Sequence, residues 1–588
     1  MRILFLFSTL FLFLHFSYAQ NPDLKRLTKN IEFLASDSLK GRYPGTAEDK
    51  VAANFIIQNF KDAGLKPMFG DGLQEFEIVT SVKPGESNFM IFNEISGELG
   101  KDFTPFGFSE NGKLMANIVF VGYGFDFESD TLNWKDYENV DVTDKWVLIL
   151  RGDPEIDNPF SNFVAHSQDR NKVMIAKDHG AKGVLFVSGV NYDEKDELVS
   201  ISYDGASGSA GVPVIQIKRE LANKILTIKN TSIEEQEKNL NENFKSNSFE
   251  LETIFTAKTD LIWNKVETYN VVAKLEGTDP NLKNEYIVIG AHYDHLGMGG
   301  EGSSSRKRDT IAVHNGADDN ASGVVGVIEL AYSLKKIPIK RSIIFIAFGA
   351  EEVGLLGSKY FVKNSPVDIS SIKTMVNFDM IGRIDQVSKS LSVSGTGTFT
   401  EADSLLNLFL GNYDFQLKTN ADGYGPSDHS SFYMYDIPVL FISTGAHEDY
   451  HTPFDDVERL DLESEIEILT YSQEIITAIA NNEKALTFAE AAGKQTQTRS
   501  GRRLKVTLGI VPDFANTETK GLGVDGVKKG GPADSGGILK GDRIVSMNGE
   551  EVTNIYDYMF RLAKLKPGKT VIIEVLRNDE IKVLLIQL

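Results

Sequence analysis

Four runs in this chain are almost wholly apolar, and each leads into a residue able to bind a metal or move a proton. Tyr286 to Ala291 (YIVIGA) ends in His292 and Asp294, and Ile343 to Phe348 leads into Glu351 and Glu352. TMVNFDM carries Asp379, and IPVLFISTGAHEDYH carries His451. Short apolar runs of this kind are the signature of strands in an open, mostly parallel α/β sheet. The carboxyl ends of such strands line one crevice, so residues far apart in sequence converge there. His292, Asp319, Glu352, Asp379 and His451 are the residues this geometry gathers. Two imidazoles and three carboxylates suit a pair of zinc ions with one carboxylate bridging.

The chain has no cysteine, which excludes a cysteine-rich structural metal site and leaves an open, hydrated catalytic one. Asp318 and Asp319 precede the helix-like stretch GVVGVIELAYSLKK, so either could cap it, and spacing alone does not decide which would bridge. The adjacent Glu351 and Glu352 cannot point the same way. One can coordinate while its neighbour faces bound water as general base. Asp294, two residues after His292, fits a carboxylate that orients a ligating imidazole. His429, in SDHSSF, reads as a hydrogen-bonding group lining the same pocket rather than a ligand, with simple packing the alternative.

Two motif matches lead elsewhere. His447 to His451 spells HEDYH, but Gly445 before it and Thr452 and Pro453 after it bias the segment away from the helix that HExxH requires. GxGxxG occurs at Gly297 to Gly302 and Gly521 to Gly526, neither opening a convincing phosphate-cradling helix.

Met1 to Ala19 has one basic residue, an apolar core and small residues at Ser17 and Ala19. That is the anatomy of a secretory signal peptide, too short and wrongly flanked for a stable membrane span. Its removal would deliver the chain to the periplasm or the exterior. A net charge of −22 opposes contact with a phosphate backbone, so nucleic acid is excluded as a partner. LKRLTKNIEFLAS and EDKVAANFIIQNFKDAGL read as two amphipathic packing helices, with Gly64 a stop and the turn-rich DSLKGRYPGT between them. Residues 113–255 alternate strand and helix signals without a ligand cluster, which marks an inserted α/β unit acting as a cover. Val457 to Ala492 reads as a closing helix, GKQTQTRSGRR as a linker over 491–503, and 504–588 as a small, mainly β domain.

AHYDH, GADDNASG, AEEVGLLGS, NFDMIG, SDHSSF and YHTPFDD, in this order, resemble the co-catalytic two-zinc aminopeptidase family, which includes glutamate carboxypeptidase and transferrin-receptor relatives. LASDSLKGRYPGT is similar to the family's opening segment. The resemblance implies a zinc-exopeptidase fold, a mixed and mostly parallel sheet flanked by helices, over 20–112 and 256–490. It implies a protease-associated domain over 113–255, and 504–588 resembles a PDZ domain of the bacterial protease type. Carried over by position, His292 and Asp379 would hold one zinc, Glu352 and His451 the other, and Asp319 would bridge them. Glu351 would be the general base, Asp294 would orient His292, and Tyr450 would steady the tetrahedral intermediate. Leu508, Gly509 and Ile510 would receive a peptide carboxyl terminus by strand addition.

The expected activity is removal of N-terminal residues from peptides. Arg306, Lys307 and Arg308 lie near the site in sequence and could instead meet a substrate carboxylate, as in a carboxypeptidase. A glutaminyl-cyclase-like enzyme would use one zinc rather than two, and a non-enzymatic protein would keep only the peptide-binding role of its flanking domains.

Overall fold

The computed structural model describes residues 22–128, 132–158, 161–164, 166–203, 209–300, 303–491, 506–512, 521–528 and 530–588. The proposed signal segment and all of the expected linker except its first residue lie outside the described residues.

The apolar runs form the centre of a nine-stranded sheet, with Ser342–Phe348, Tyr286–His292, Ile372–Phe378 and Val439–Ser443 side by side in that order. These four are mutually parallel. Antiparallel partners flank them: Leu261–Leu275 beside Ser342–Phe348, and Ser390–Ser394 beside Val439–Ser443. The sheet is therefore mixed and mostly parallel in its core, as expected.

The apolar runs lack polar alternation because both faces of the sheet are covered. Ile287, Ile289, Ile343 and Phe345 point into one hydrophobic cluster with the helices Leu24–Leu34, Ala47–Asp62, Gly323–Leu334 and Leu462–Asn481. Val288, Ile344, Ile346 and Phe348 point into the opposite cluster, with Phe361 and Phe432 from Leu356–Lys363 and His429–Tyr433. Three of the burying helices are fixed at their start by a side chain suited to accept from free amide groups. Asp23 accepts from the Arg26 amide, Thr46 from that of Asp49, and Asp461 from that of Ser464. The closing helix is shorter than the sequence indicates: Val457–Arg459 is a separate 3-10 turn, and the α-helix ends at Asn481.

The sheet to which residues 113–255 contribute also takes in strands upstream of them. This eight-stranded sheet starts with Phe89–Phe92 and ends with Phe249–Thr259. The upstream strands, Phe89–Phe92, Ile95–Gly97 and Phe103–Pro105, are too short to give a clear period-2 signal. A long ribbon, Leu73–Pro84 against Leu261–Leu275, carries the chain out of the first sheet and back, with Pro84 opposite Leu261.

The C-terminal domain is a small antiparallel sheet, ordered Ile510–Pro512, Leu522–Val527, Arg543–Met547, Thr570–Arg577 and Glu580–Gln587, with the helix Ile555–Lys564. That helix rests on the insert. Arg561 is 3% exposed and forks onto both carboxylate oxygens of Asp178, Asn554 donates to the Ser209 carbonyl, and Phe560 packs against an apolar cluster of the insert. Among the described residues, no helix is long and apolar enough to cross a membrane.

Candidate metal centre

His292 is the last residue of its strand, and Asp379 follows the last residue of Ile372–Phe378. Glu351 and Glu352 come just beyond Phe348, after Ala350, which adopts a positive φ of 58°. His451 arrives on the loop after Val439–Ser443, also at positive φ, 56°. Asp319 sits in the irregular helical segment Ala317–Ser322 and precedes a cis peptide bond to Asn320. All five expected ligand residues meet at the carboxyl ends of the parallel strands.

They meet as two clusters sharing one carboxylate. His292 Nε2 lies 3.4 Å from Asp319 Oδ1 and 3.6 Å from Asp379 Oδ1. His451 Nε2 lies 3.2 Å from Asp319 Oδ2 and 3.2 Å from Glu352 Oε2. The two oxygens of Asp319 thus face different clusters. Asp318 turns away: its carboxylate accepts from the Gly382 amide at 2.7 Å and the Ser322 hydroxyl at 3.1 Å.

The donor atoms fit a cation in each cluster. The groups His292, Asp319, Asp379 and His295, Asp319, Glu352 each bring their ligand atoms within 4.8 Å of one another, the second holding His295 where His451 is expected, and His451 Nε2 stands 3.2 Å from both carboxylates of that group. Nitrogen and carboxylate oxygen are the donors that zinc takes, and no thiolate competes. The electrostatics agree. Burial disfavours charge on His451, yet Asp319 and Glu352 outweigh it and raise the imidazole to about 10. Burial likewise works against charge on His292, and Glu351 and Asp379 overcome it. So many buried carboxylates in one place are stabilised by positive charge set among them.

Glu351 belongs to neither cluster. Burial first, then the charges of Glu352, Asp428 and Asp379, push its carboxyl well above the usual range, with His292 opposing them. The Tyr450 ring stacks on His451 at 3.8 Å between centroids, and burial with the nearby carboxylates raises its phenol.

Asp294 holds more than the histidine before it. Its backbone carbonyl meets His292 Nδ1 at 3.2 Å, whereas its carboxylate stands 3.9 Å from that nitrogen. The carboxylate instead accepts from the amides of Glu351 at 3.0 Å and Glu352 at 3.2 Å. It anchors the glutamate turn as well as the histidine.

His429 is not the pocket hydrogen-bonder that its sequence suggests. It is fully buried with neither ring nitrogen partnered, its ring stacked on Phe441 at 4.4 Å, and burial pulls it down to about 3. A small apolar enclosure gives an imidazole packing and nothing to bond. HEDYH forms turns rather than a helix, and its first histidine goes elsewhere: His447 Nδ1 meets Arg383 at 3.0 Å, with Nε2 3.3 Å from Asp318. The Arg306 guanidinium is bonded to the carbonyls of Glu448 at 3.0 Å and Tyr450 at 3.4 Å, and its amide to that of His451.

Four supporting residues escape a reading of the sequence. Arg42, fully buried, comes from the loop between the first two helices, a segment whose pattern indicates packing only. It donates to the carbonyls of Leu34, Tyr293, Asn315 and Gly316, tying the His292 loop to the Asp319 loop. Asp455 accepts from the amides of Asp318 and Asp319, and Asn320 bridges the Phe378 carbonyl and the Met380 amide. His295 places Nδ1 2.7 Å from Glu352 Oε1. Gly41 lets Arg42 come so close: its φ is 71°, and a Cβ there would lie 2.5 Å from the Gly297 carbonyl oxygen.

Residues 270–474, which hold all five expected ligands, match the family model described as peptidase family M28. That match covers the stretch in which both clusters of donor atoms lie. Residues 112–225 match the PA domain model and 501–588 the PDZ domain model, one before and one after the M28 match. An aminopeptidase of Pseudomonas aeruginosa is 27% identical over 365 residues, 61% of this chain and 57% of that protein. The chain thus spans somewhat over half the length of that relative. Aminopeptidase YwaD of Bacillus subtilis is 26% identical over 439 residues, 73% of this chain and 79% of YwaD. Among solved structures, BSAP, described as a zinc aminopeptidase from Bacillus subtilis, is 22% identical, with a TM-score of 0.46 over 79% of this chain and 97% of that one.

Proposed function

We propose that this chain is an exported, zinc-dependent aminopeptidase. The observation that carries the reading is Asp319, whose two oxygens face two separate sets of buried donors. His292 and Asp379 would hold one zinc ion, Glu352 and His451 a second, and Asp319 both. Bound there, the two ions would lower the pKa of a water toward about 7 and polarise a scissile carbonyl. Glu351, held by the Asp294 carboxylate through its amide, takes the proton of the attacking water and returns it to the leaving amine. Tyr450, beside His451, donates its phenol hydrogen to the developing oxyanion. Asp294 keeps both the His292 imidazole and the glutamate turn in place.

Arg306 gives no support to a carboxypeptidase, because its guanidinium is engaged by two backbone carbonyls of the His451 loop. In the C-terminal domain, the segment Leu508, Gly509, Ile510 would take a peptide carboxyl terminus by extending the sheet. There Leu508 is a core side chain and Gly509 has a φ of 75°. The apolar segment Met1 to Ala19 is the reason for proposing export, which sequencing the N-terminus of the mature protein would check.

The deciding experiment compares peptides with a free and a blocked amino terminus, with and without chelator. Cleavage of the free-amine set alone, abolished by chelator and restored by zinc, is expected. Equal cleavage of both sets, or cleavage that survives removal of metal, would overturn the proposal. Glu351→Gln should keep two zinc ions and lose at least about a hundredfold in kcat. Glu352→Ala should lose one ion as well, by metal analysis.

A further inference from the structure

The two zinc sites proposed above use His292 and His451, which leaves the third imidazole of the cluster unexplained. His295 is 0% exposed, and its Nδ1 lies 2.7 Å from Glu352 Oε1, shorter than the contacts between the expected ligands given above. We infer that His295 is a positioning residue that donates from Nδ1 to Glu352 and fixes which carboxylate oxygen is presented to the second metal.

The geometry divides the labour of one carboxylate. Glu352 Oε1 is taken by His295, while Oε2 stands 3.2 Å from His451 Nε2 on the metal side. From Nδ1 of His295 to Asp319 Oδ2 is 3.9 Å, beyond hydrogen-bond reach, so its contact is with Glu352. The imidazole is closely packed. Its amide donates to the Arg42 carbonyl at 3.4 Å, and its ring lies against Gly316, where a Cβ would stand 2.5 Å from Cδ2. Nothing hydrogen-bonds its Nε2, so Glu352 is its ring's hydrogen-bond partner among the described residues.

The tetrapeptide His292-Tyr293-Asp294-His295 therefore grips the neighbouring strand's ligand twice. Asp294 holds the Glu352 amide and His295 holds its carboxylate. A ligand so held presents one oxygen and loses little freedom when a cation arrives, and such outer contacts are worth about ten- to a hundredfold in metal affinity. No comparable donor is bonded to Asp379 at the first site among the described residues, so the effect belongs to the second site alone.

The inference rests on the two-zinc reading, and the test separates them. Full-length wild type and two variants would be titrated with zinc against a competing chelator, with bound metal counted by elemental analysis. His295→Leu fills the space without a donor, whereas His295→Asn keeps an N–H close to the position of Nδ1. The expected result is two zinc ions in wild type and an about ten- to hundredfold weaker second ion in His295→Leu, with the first unchanged. His295→Asn should recover to within about threefold of wild type. Wild-type affinity for both ions in His295→Leu would overturn the inference, as would equal loss of both ions or failure of His295→Asn to recover. X-ray absorption of the wild type distinguishes positioning from direct ligation: an average of one imidazole per zinc supports it, and one and a half overturns it. A wild type that binds no zinc would instead remove the proposed function itself.

Discussion

At the scale of single residues, the site is a set of candidate ligands held by neighbours that bond to backbone more than to each other. Arg42 shows the consequence most sharply. Its guanidinium satisfies four carbonyls, those of Leu34, Tyr293 and Gly316 buried and that of Asn315 partly so, and burial lowers it to about 10 while Asp294 and Asp319 work to keep it charged. A lysine can reach one or two of those oxygens, and each buried acceptor left without a donor costs about 1–3 kcal/mol. Arg42→Lys should lower unfolding free energy by on the order of 3 kcal/mol in denaturant titration, although no proposed ligand has changed. Asp294→Asn keeps the shape but puts an amide donor against one of two backbone donors, so turnover should fall about ten- to a hundredfold. A kcat within twofold of wild type would remove the clamp assignment. The ligands themselves are legible because most of them follow an apolar run. Arg42, Asp455 and Asn320 are not, since a buried arginine in a turn-rich loop and polar residues beside acidic ones carry no periodic signal. His295 stands in plain view within AHYDH, but only its neighbour His292 ends a strand.

At the scale of elements, the parallel strands are readable and the boundaries are not. Uninterrupted apolar runs specify strands buried on two faces, which is what Ile287 and Val288 do by pointing into opposite clusters. The short strands from Phe89 to Pro105 give no such pattern, and so their place in the second sheet is not legible in the sequence. The closing helix Leu462–Asn481 carries a further consequence. Glu465 on it is fully buried with neither carboxylate oxygen partnered. Burial, then the charges of Asp318 and Glu329, raise it well above its usual range. In the folded chain it keeps a proton that the unfolded chain releases above about pH 4.3. Stability contributed by this group is therefore present at lower pH and declines as pH rises toward its folded pKa. Glu465→Gln should raise the melting temperature, and by more at about pH 8 than at about pH 5. A gain that shrinks with pH would contradict the buried neutral acid.

At the scale of the whole molecule, three folded units are joined by surfaces as well as by chain. Arg561 of the C-terminal domain and Asp178 of the insert form a forked, mostly buried ion pair beside Phe560. Reversing the charge at Arg561 would set a carboxylate against both Asp178 and Glu550, with Lys564, 3.5 Å from Asp178, offsetting only part of the repulsion. Arg561→Glu should therefore release the C-terminal domain, seen as a larger radius of gyration by small-angle scattering with an unchanged zinc content. No change in dimensions would mean that the ion pair does not hold the units together. The ribbon between the first two sheets has its own implication. Because Pro84 and Leu261 stand side by side, the chain departs and re-enters at a single doorway. A tight two-residue hairpin joining those neighbours would excise everything between them while the sheet that carries the candidate metal centre kept its strand order, and the C-terminal domain would lose the seat that Asp178 provides. Evolution or an engineer can thus exchange the middle of this protein as a cassette.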